Sequence, residues 1–132
     1  MNIQITHGPP HLPPHLAMSP RDHQMFDYCA IAGEVWAGHV NGELEACWGV
    51  IPPSFMADTA YLWMLNLPIR HPILLGRYSR KVISALLWRW PSITGHCHLG
   101  TGSMRWLGWL GAEFGQPHSG LIPFEIRSPQ NG

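Results

Sequence analysis

The stretch from residue 61 to residue 99, YLWMLNLPIRHPILLGRYSRKVISALLWRWPSITGHCHL, decides how this chain folds. Residues Tyr61 to Asn66 are apolar on both faces, which predicts a strand in the middle of a sheet. Pro68 breaks that strand, and Pro72 stands where a helix begins. The segment therefore predicts a strand that leads into a helix.

The next residues predict a long amphipathic helix, because mostly apolar residues recur there at spacings of three and four. Arg77, Lys81 and Ser84 share the opposite, polar face. Pro91 ends the helix, and Ile93 to Leu99 reads as the next strand. The repeating positions are Leu75, Tyr78, Ser79, Val82, Ile83, Leu86 and Trp90.

Upstream, the sequence predicts a β-hairpin. Val35 to Val40 and Leu44 to Ile51 are predicted strands of mostly apolar residues, and Asn41-Gly42 lies between them. Asn-Gly is a strong hairpin signal, because both turn positions need a positive φ. Trp36 and Trp48 are candidates for a pair across this hairpin.

The N-terminal segment 1–18 contains prolines and histidines that predict an extended arm, lying on the surface or on a neighbour. Ser19-Pro20 then provides an N-cap and a first helical residue, and the helix is expected to run to about Ala30. Domain 19–127 is thus a single unit.

The C-terminal part of the chain continues the alternation of helices and strands. Thr101 or Ser103 caps a short helix that runs to Leu110, and Gly111 suits a left-handed terminator. Leu121 to Arg127 forms the final strand, and residues 128–132 form a loose tail. The chain is therefore predicted to be an α+β domain, a β-hairpin followed by β-α-β-α-β.

Composition limits the classes of protein to which the chain can belong. The sequence has 132 residues, 45% of them hydrophobic and 12% charged, which fits one globular domain and not a disordered chain. Its 3 cysteines have no short repeated spacing, which indicates reduced thiols. No signal peptide and no membrane span are expected.

Charge is distributed unevenly although the net charge is +0. Residues 1–66 carry one base against six acids, a net charge of −5, and residues 67–132 carry seven bases against two acids, a net charge of +5. The neutral total argues against nucleic-acid binding. The polarity indicates that the halves pack on each other, or that the protein is oriented in an assembly.

Six segments, in this order, resemble the phage members of the GNAT-like (N-acetyltransferase fold) proteins, a family that includes internal virion protein A of short-tailed phages. The tryptophan-rich fifth segment is the most specific. The segments are 16–22 LAMSPRD, 41–50 NGELEACWGV, 62–66 LWMLN, 77–83 RYSRKVI, 103–114 SMRWLGWLGAEF and 123–126 PFEI.

The resemblance implies a GNAT-like, mostly antiparallel sheet flanked by helices. It also implies a virion-associated phage protein, made in the host cytoplasm, that works through protein contacts without catalysis. Its partners would then be other virion proteins, such as portal, core or capsid components, and a homo-oligomer is compatible with this role. The alternative is an acetyl-CoA-dependent N-acetyltransferase that modifies a host or phage amine.

For the enzyme alternative, the resemblance implies a Gly-rich diphosphate-binding loop at the start of the long helix. This chain has a single glycine there, Gly76, and Pro72 removes one backbone donor. Met64, Leu65, Arg77 and Arg80 are the residues that would contact acetyl-CoA if it binds. A solvated basic helix face is favoured over an intact cofactor site, so the main expectation is no cofactor.

The catalytic groups stay unassigned at this point. The resemblance implies a Glu on the central strand and a Tyr on the short helix, and neither is present. The substitutes are Asp58, His96 or His98 as a base, and Tyr78 or Cys97 as an acid.

Two further features are open to a functional interpretation. His96 and His98 are spaced to share one face of a strand, but without further ligands no metal site is predicted. Trp106 and Trp109 form an aromatic face on the short helix, which is either core or an anchor for a protein partner.

Overall fold

The computed structural model describes residues 1–53, 59–98 and 102–128. Strands and helices alternate along these residues. The elements are β1 Ile3–His7, α1 Pro20–Ala32, β2 Glu34–Val40, β3 Glu43–Ile51, β4 Ala60–Met64, α2 Pro72–Arg89, β5 Ser92–His98, α3 Gly102–Trp109, β6 Glu113–Phe114 and β7 Leu121–Arg127.

All of these strands form one sheet in the order β1-β2-β3-β4-β5-β7-β6. Neighbouring strands run antiparallel except β4 and β5, which are parallel and are connected by α2. Parallel neighbours need such a crossover because a tight turn reverses the chain and gives an antiparallel neighbour. Helix α1 covers one face of the sheet, the α1 face, and α2 and α3 cover the other, the α2 face.

The predicted hairpin is confirmed. Asn41 and Gly42 have φ angles of 52° and 81°, and Trp36 lies opposite Trp48. The register shifts beyond this pair: His39 faces Leu44 while Gly38 faces Ala46, so Glu45 lies between two rungs. This extra residue is a β-bulge, which turns a side chain away from the regular alternation.

The helix boundaries follow the local signals in the sequence. The Ser19 hydroxyl accepts the Asp22 N–H over 3.1 Å, and α1 continues to Ala32, two residues beyond the expected end. Helix α2 begins at Pro72 and ends before Pro91, as predicted. Gly111, two residues after the end of α3 at Trp109, has a φ of 91°, as the sequence indicated for a left-handed terminator.

The N-terminal segment differs from the predicted arm. Ile3–His7 forms edge strand β1, which pairs with β2 along its whole length. The prolines begin at Pro9, after the strand, so they do not remove its backbone donors. Beyond it, Leu12, Leu16 and Met18 pack against the α1-face core, so residues 1–18 belong to the domain. The short strand β6 was likewise not expected.

The core on the α2 face is centred on two tryptophans. The rings of Trp48 and Trp106 lie 5.1 Å apart, and both side chains are buried. Trp106 Nε1 donates to the Ser79 hydroxyl over 3.0 Å, and that hydroxyl donates to the Leu75 carbonyl over 2.7 Å. Trp106 therefore joins α3 to α2 inside the protein and offers no surface to a partner.

The cysteine side chains are unpaired, as expected from their spacing. Burial raises the pKa of Cys29 and of Cys97 to about 11. Burial, together with the nearby Cys29, raises the pKa of Cys47 to about 12. These thiols stay protonated at neutral pH and behave as small core side chains.

Candidate active site

The parallel strands β4 and β5 pair over three rungs and then separate. The rungs run from Ala60↔Ile93 to Leu62↔Gly95, whereas β4 continues to Met64 and β5 to His98. We call the opening between residues 63–64 of β4 and residues 96–98 of β5 the strand split. It lies at the carboxyl ends of parallel strands, where open sheets bind ligands.

Gly95 marks the point at which the strands separate. A Cβ atom at this position would collide with the Leu62 carbonyl oxygen and would come within 2.6 Å of the Phe124 ring. Glycine thus allows β4, β5 and β7 to approach closely at the last rung before the split. The residues on either side of the opening are held by a tightly packed base.

The N-terminus of α2 follows β4 and holds an internal carboxylate. The N–H groups of Arg70 and His71 donate to Glu45 Oε1 over 2.9 and 3.0 Å. The His71 ring contacts Glu45 Oε2 through Nδ1 over 2.6 Å. We call the two backbone N–H groups the α2 cradle. A helix N-terminus attracts anions, and here the anion is Glu45, which the β-bulge turns toward it.

A chain of polar side chains crosses from β4 to β5 on the α1 face. Arg21 donates to the Tyr61 hydroxyl over 3.1 Å, and that hydroxyl contacts His96 Nδ1 over 3.1 Å. Tyr61 is opposite Thr94, and His96, two residues further along β5, is the first residue after the last rung at Gly95. Tyr61 thereby holds the exposed imidazole at the start of the opening.

Comparisons with solved structures identify this arrangement. A GNAT family acetyltransferase from Elizabethkingia anophelis, with acetyl-CoA bound, has a TM-score of 0.63 at 14% identity, covering 96% of this chain and 99% of that one. A Bacillus subtilis acetyltransferase in complex with CoA has a TM-score of 0.63 at 9% identity, covering 96% and 99%. The chain has a GNAT fold. No family model matches the sequence, and no curated protein does.

The GNAT fold confirms the predicted fold class, whereas the phage part of the resemblance stays a prediction. A third similar structure, an IAA acetyltransferase from Bacillus cereus, has a TM-score of 0.60 at 11% identity and covers 96% of this chain and 100% of that one. Identities this low establish the fold alone.

The residues predicted to contact acetyl-CoA lie in two places on the GNAT fold. Met64 and Leu65 are buried at the end of β4, beside the strand split, and the Leu65 N–H donates to the Cys47 carbonyl. Arg77 is exposed on α2. The guanidinium of Arg80 lies over the Trp109 ring, 5.4 Å from the ring centroid, so it contacts α3.

The other catalytic candidates are less suitably placed. Cys97 is buried in the α2-face core, and its raised pKa makes it a poor proton donor. Tyr78 is 53% exposed on α2, on the opposite face of the sheet from His96. Asp58 lies outside the described residues. His98 lies further along β5, on the same face of the sheet as His96.

A second opening lies on the α2 face, away from the strand split. This groove of about 530 Å³ has an apolar floor of Ile83, Leu87 and Leu110, and its rim carries Trp88, Trp109, Arg80 and Arg127. Trp88 is 76% exposed and Trp109 is 41% exposed. Of the two tryptophans predicted as an interface, Trp109 is therefore available and Trp106 is not.

Over residues 1–53, 59–98 and 102–128, no three His, Cys, Asp or Glu side chains cluster as metal ligands would. No helix in this part of the chain is long and apolar enough to cross a membrane.

The sequence missed the two partners of His96. Tyr61 was assigned only as the first residue of a central strand, and Arg21 only as part of a helix start. Their meeting with His96 depends on the register of β4 against β5 and on the position of α1. Local sequence patterns contain no signal for either.

Proposed function

We propose that this chain is an N-acetyltransferase that transfers an acetyl group from an acetyl-CoA-type thioester to an amine. The observation that carries the proposal is the strand split between β4 and β5, which opens at the carboxyl ends of the parallel strands. The GNAT fold supports it, because similar structures are acetyltransferases with acetyl-CoA or CoA bound.

The strand split suits the arm of such a thioester. The arm is a narrow, flexible chain with two amide groups, and strands that separate beyond Leu62↔Gly95 can admit such a chain between them. An extended ligand can pair with strand edges as an added strand does. Met64 and Leu65, the predicted contact residues, lie at this position.

His96 is the candidate general base. When bound, the thioester supplies a carbonyl carbon that is activated toward amines. As the C–N bond forms and the C–S bond breaks, the amine proton passes to His96 Nε2, and the thiolate takes a proton from solvent. The tautomer required has Nδ1–H donating to the Tyr61 oxygen, which leaves the lone pair on Nε2 to take the proton.

The first test is a binding measurement. Calorimetry with acetyl-CoA is expected to give a dissociation constant in the micromolar range, and a ligand at about 100 times that constant raises the free energy of unfolding by about 2.7 kcal/mol. Thermal melting checks the same interaction. No heat and no melting shift at millimolar acetyl-CoA would contradict the proposal.

The second test separates catalysis from binding. Thiol release with a panel of amines should fall by about 10²- to 10⁴-fold in His96→Gln, while acetyl-CoA affinity stays unchanged. His23→Gln is the matched control, because His23 is an exposed histidine on α1. Equal losses in both variants, or no loss in either, would remove His96 from the mechanism.

A second candidate function is the virion-associated protein that the sequence resemblance implies, acting by contacts and without catalysis. The observation that favours it is Glu45, which already occupies the α2 cradle. Trp88 and Trp109 would then contact the partner. Absence of acetyl-CoA binding, together with co-purification with other virion proteins, would support this function over the enzyme.

A further inference from the structure

Glu45 affects how the site can bind its acetyl donor. This point goes beyond the proposed function and rests on it. Its side chain is 8% exposed, and its carboxylate receives both N–H groups of the α2 cradle and contacts the His71 ring. His71, the N-cap residue, forms no capping bond with its own side chain. Glu45 thus supplies the cap of α2 from a neighbouring strand.

The same contacts reduce what this helix end can offer to a diphosphate. Glu45 holds the N–H groups of Arg70 and His71, and Pro72 has none, so only the first-turn N–H groups of Ile73 and Leu74 remain for a phosphate oxygen. A second anion beside a buried carboxylate would also be repelled. The cationic side chains nearby, Arg70 and Arg77, are exposed, and salt screens their attraction for phosphate.

We infer that this site recognises its donor through the acyl-pantetheine arm and not through the nucleotide diphosphate. The chemical class of substrate is therefore an acyl-pantetheine thioester, whether or not adenosine diphosphate follows the arm. Glu45 is the residue that sets this selectivity. If the two N–H groups of the α2 cradle were free, their hydrogen bonds to the charged diphosphate would raise the affinity for acetyl-CoA over S-acetylpantetheine by roughly 100-fold.

The experiment compares three donors with the unmodified protein at about 0.15 M salt, where exposed charges are screened over roughly 8 Å. The donors are S-acetylpantetheine without phosphate, S-acetyl-4′-phosphopantetheine with one phosphate, and acetyl-CoA with the diphosphate and nucleotide. Calorimetry should give dissociation constants that agree within about tenfold, which is a difference of about 1.4 kcal/mol.

Variants then test whether Glu45 is the cause. Glu45→Ala vacates the α2 cradle and should improve acetyl-CoA binding relative to S-acetylpantetheine by about tenfold or more. Glu45→Gln keeps an oxygen for the two N–H groups and should preserve the narrow difference. Glu43→Ala, an exposed glutamate of the same strand, is the control and should change nothing.

The outcomes separate this inference from the proposed function. Acetyl-CoA that binds the unmodified protein 100-fold more tightly than S-acetylpantetheine overturns the inference and leaves the acetyltransferase intact. Failure of all three donors to bind overturns both. Because the comparison on the unmodified protein decides the matter, a Glu45→Ala variant that melts early does not remove the test.

Discussion

The hairpin β2–β3 and the parallel pair β4–β5 belong to one sheet but differ in how far they are paired. In the hairpin, rungs run from Glu34↔Val50 at one end to Val40↔Glu43 at the turn. In the parallel pair, rungs stop at Leu62↔Gly95 although both strands continue. The hairpin uses its backbone groups internally, and the parallel pair leaves a region open.

The difference shows where this fold places stability and where it leaves room for a ligand. The hairpin contributes Trp48 to the core, and its bulge directs Glu45 to α2. The parallel pair instead presents separated strand edges, with His96 at the opening. Substitutions of core residues in the hairpin should therefore act on unfolding, and those of side chains at the opening of the strand split should act on ligand binding and transfer.

The largest effect is expected in the hairpin. Trp48→Ala removes a ring that is 1% exposed and packs on Trp106, so the free energy of unfolding should fall by about 3–5 kcal/mol. Urea denaturation followed by circular dichroism measures this loss. Trp88→Ala, at a ring that is 76% exposed, is the control and should stay within about 0.5 kcal/mol. Similar losses in both variants would contradict the assigned core.

The next effect concerns the base of the strand split. Gly95→Ala places a methyl group against the Leu62 carbonyl and 2.6 Å from the Phe124 ring, which should cost about 1–3 kcal/mol of stability. Acetyl-CoA binding should weaken as well, because the strands must shift. Gly108→Ala, which meets no atom within 4 Å, should be neutral or stabilising. An unchanged melting temperature in Gly95→Ala would show that the close approach does not exist.

A smaller effect is expected from the residue that orients His96. Tyr61→Phe keeps the ring but removes the hydroxyl that joins Arg21 to His96. Loss of one such hydrogen bond is worth about 1 kcal/mol, so kcat should fall roughly five- to tenfold while KM stays constant. Tyr28→Phe, at an exposed tyrosine of α1, is the control. A change confined to KM would point to substrate contact instead of positioning.

The smallest effect is the pH dependence of stability on the hairpin side. Because the pKa of Cys47 rises from 9.0 to about 12 on folding, its stabilising contribution is complete below pH 9 and is lost as pH rises toward 12. Between pH 9 and 10 this loss amounts to about 1 kcal/mol. Cys47→Ala should lower stability at pH 8 but flatten its decline above pH 9. Parallel declines in the two proteins would contradict the buried thiol.

The parts of the fold that the sequence predicted depend on local chemistry. Asn41-Gly42 requires positive φ angles, Ser19 caps a helix through its own hydroxyl, and Pro72 starts α2. Each of these signals acts over a few residues, so it can be read without knowing the tertiary structure. The GNAT arrangement then follows from the order of the elements.

The parts that were missed depend on contacts between distant residues. Strand β1 exists because β2 offers an edge, and the short arm contains no strong strand signal of its own. The burial of Trp106 rests on Ser79 of α2, which an eight-residue helix cannot reveal by its pattern. The cluster of Arg21, Tyr61 and His96 unites three elements, so only the register could disclose it.

Because its thiols are buried, the native protein should react slowly with reagents that detect free sulfhydryls. Cys29, Cys47 and Cys97 are at most 2% exposed, so a colorimetric disulfide reagent added to folded protein reports thiol released from the donor and little else. When the chain unfolds, its 3 cysteines become reactive together. One reagent can therefore follow thiol release in the proposed reaction while the protein is folded, and titrate the 3 cysteines after denaturant is added.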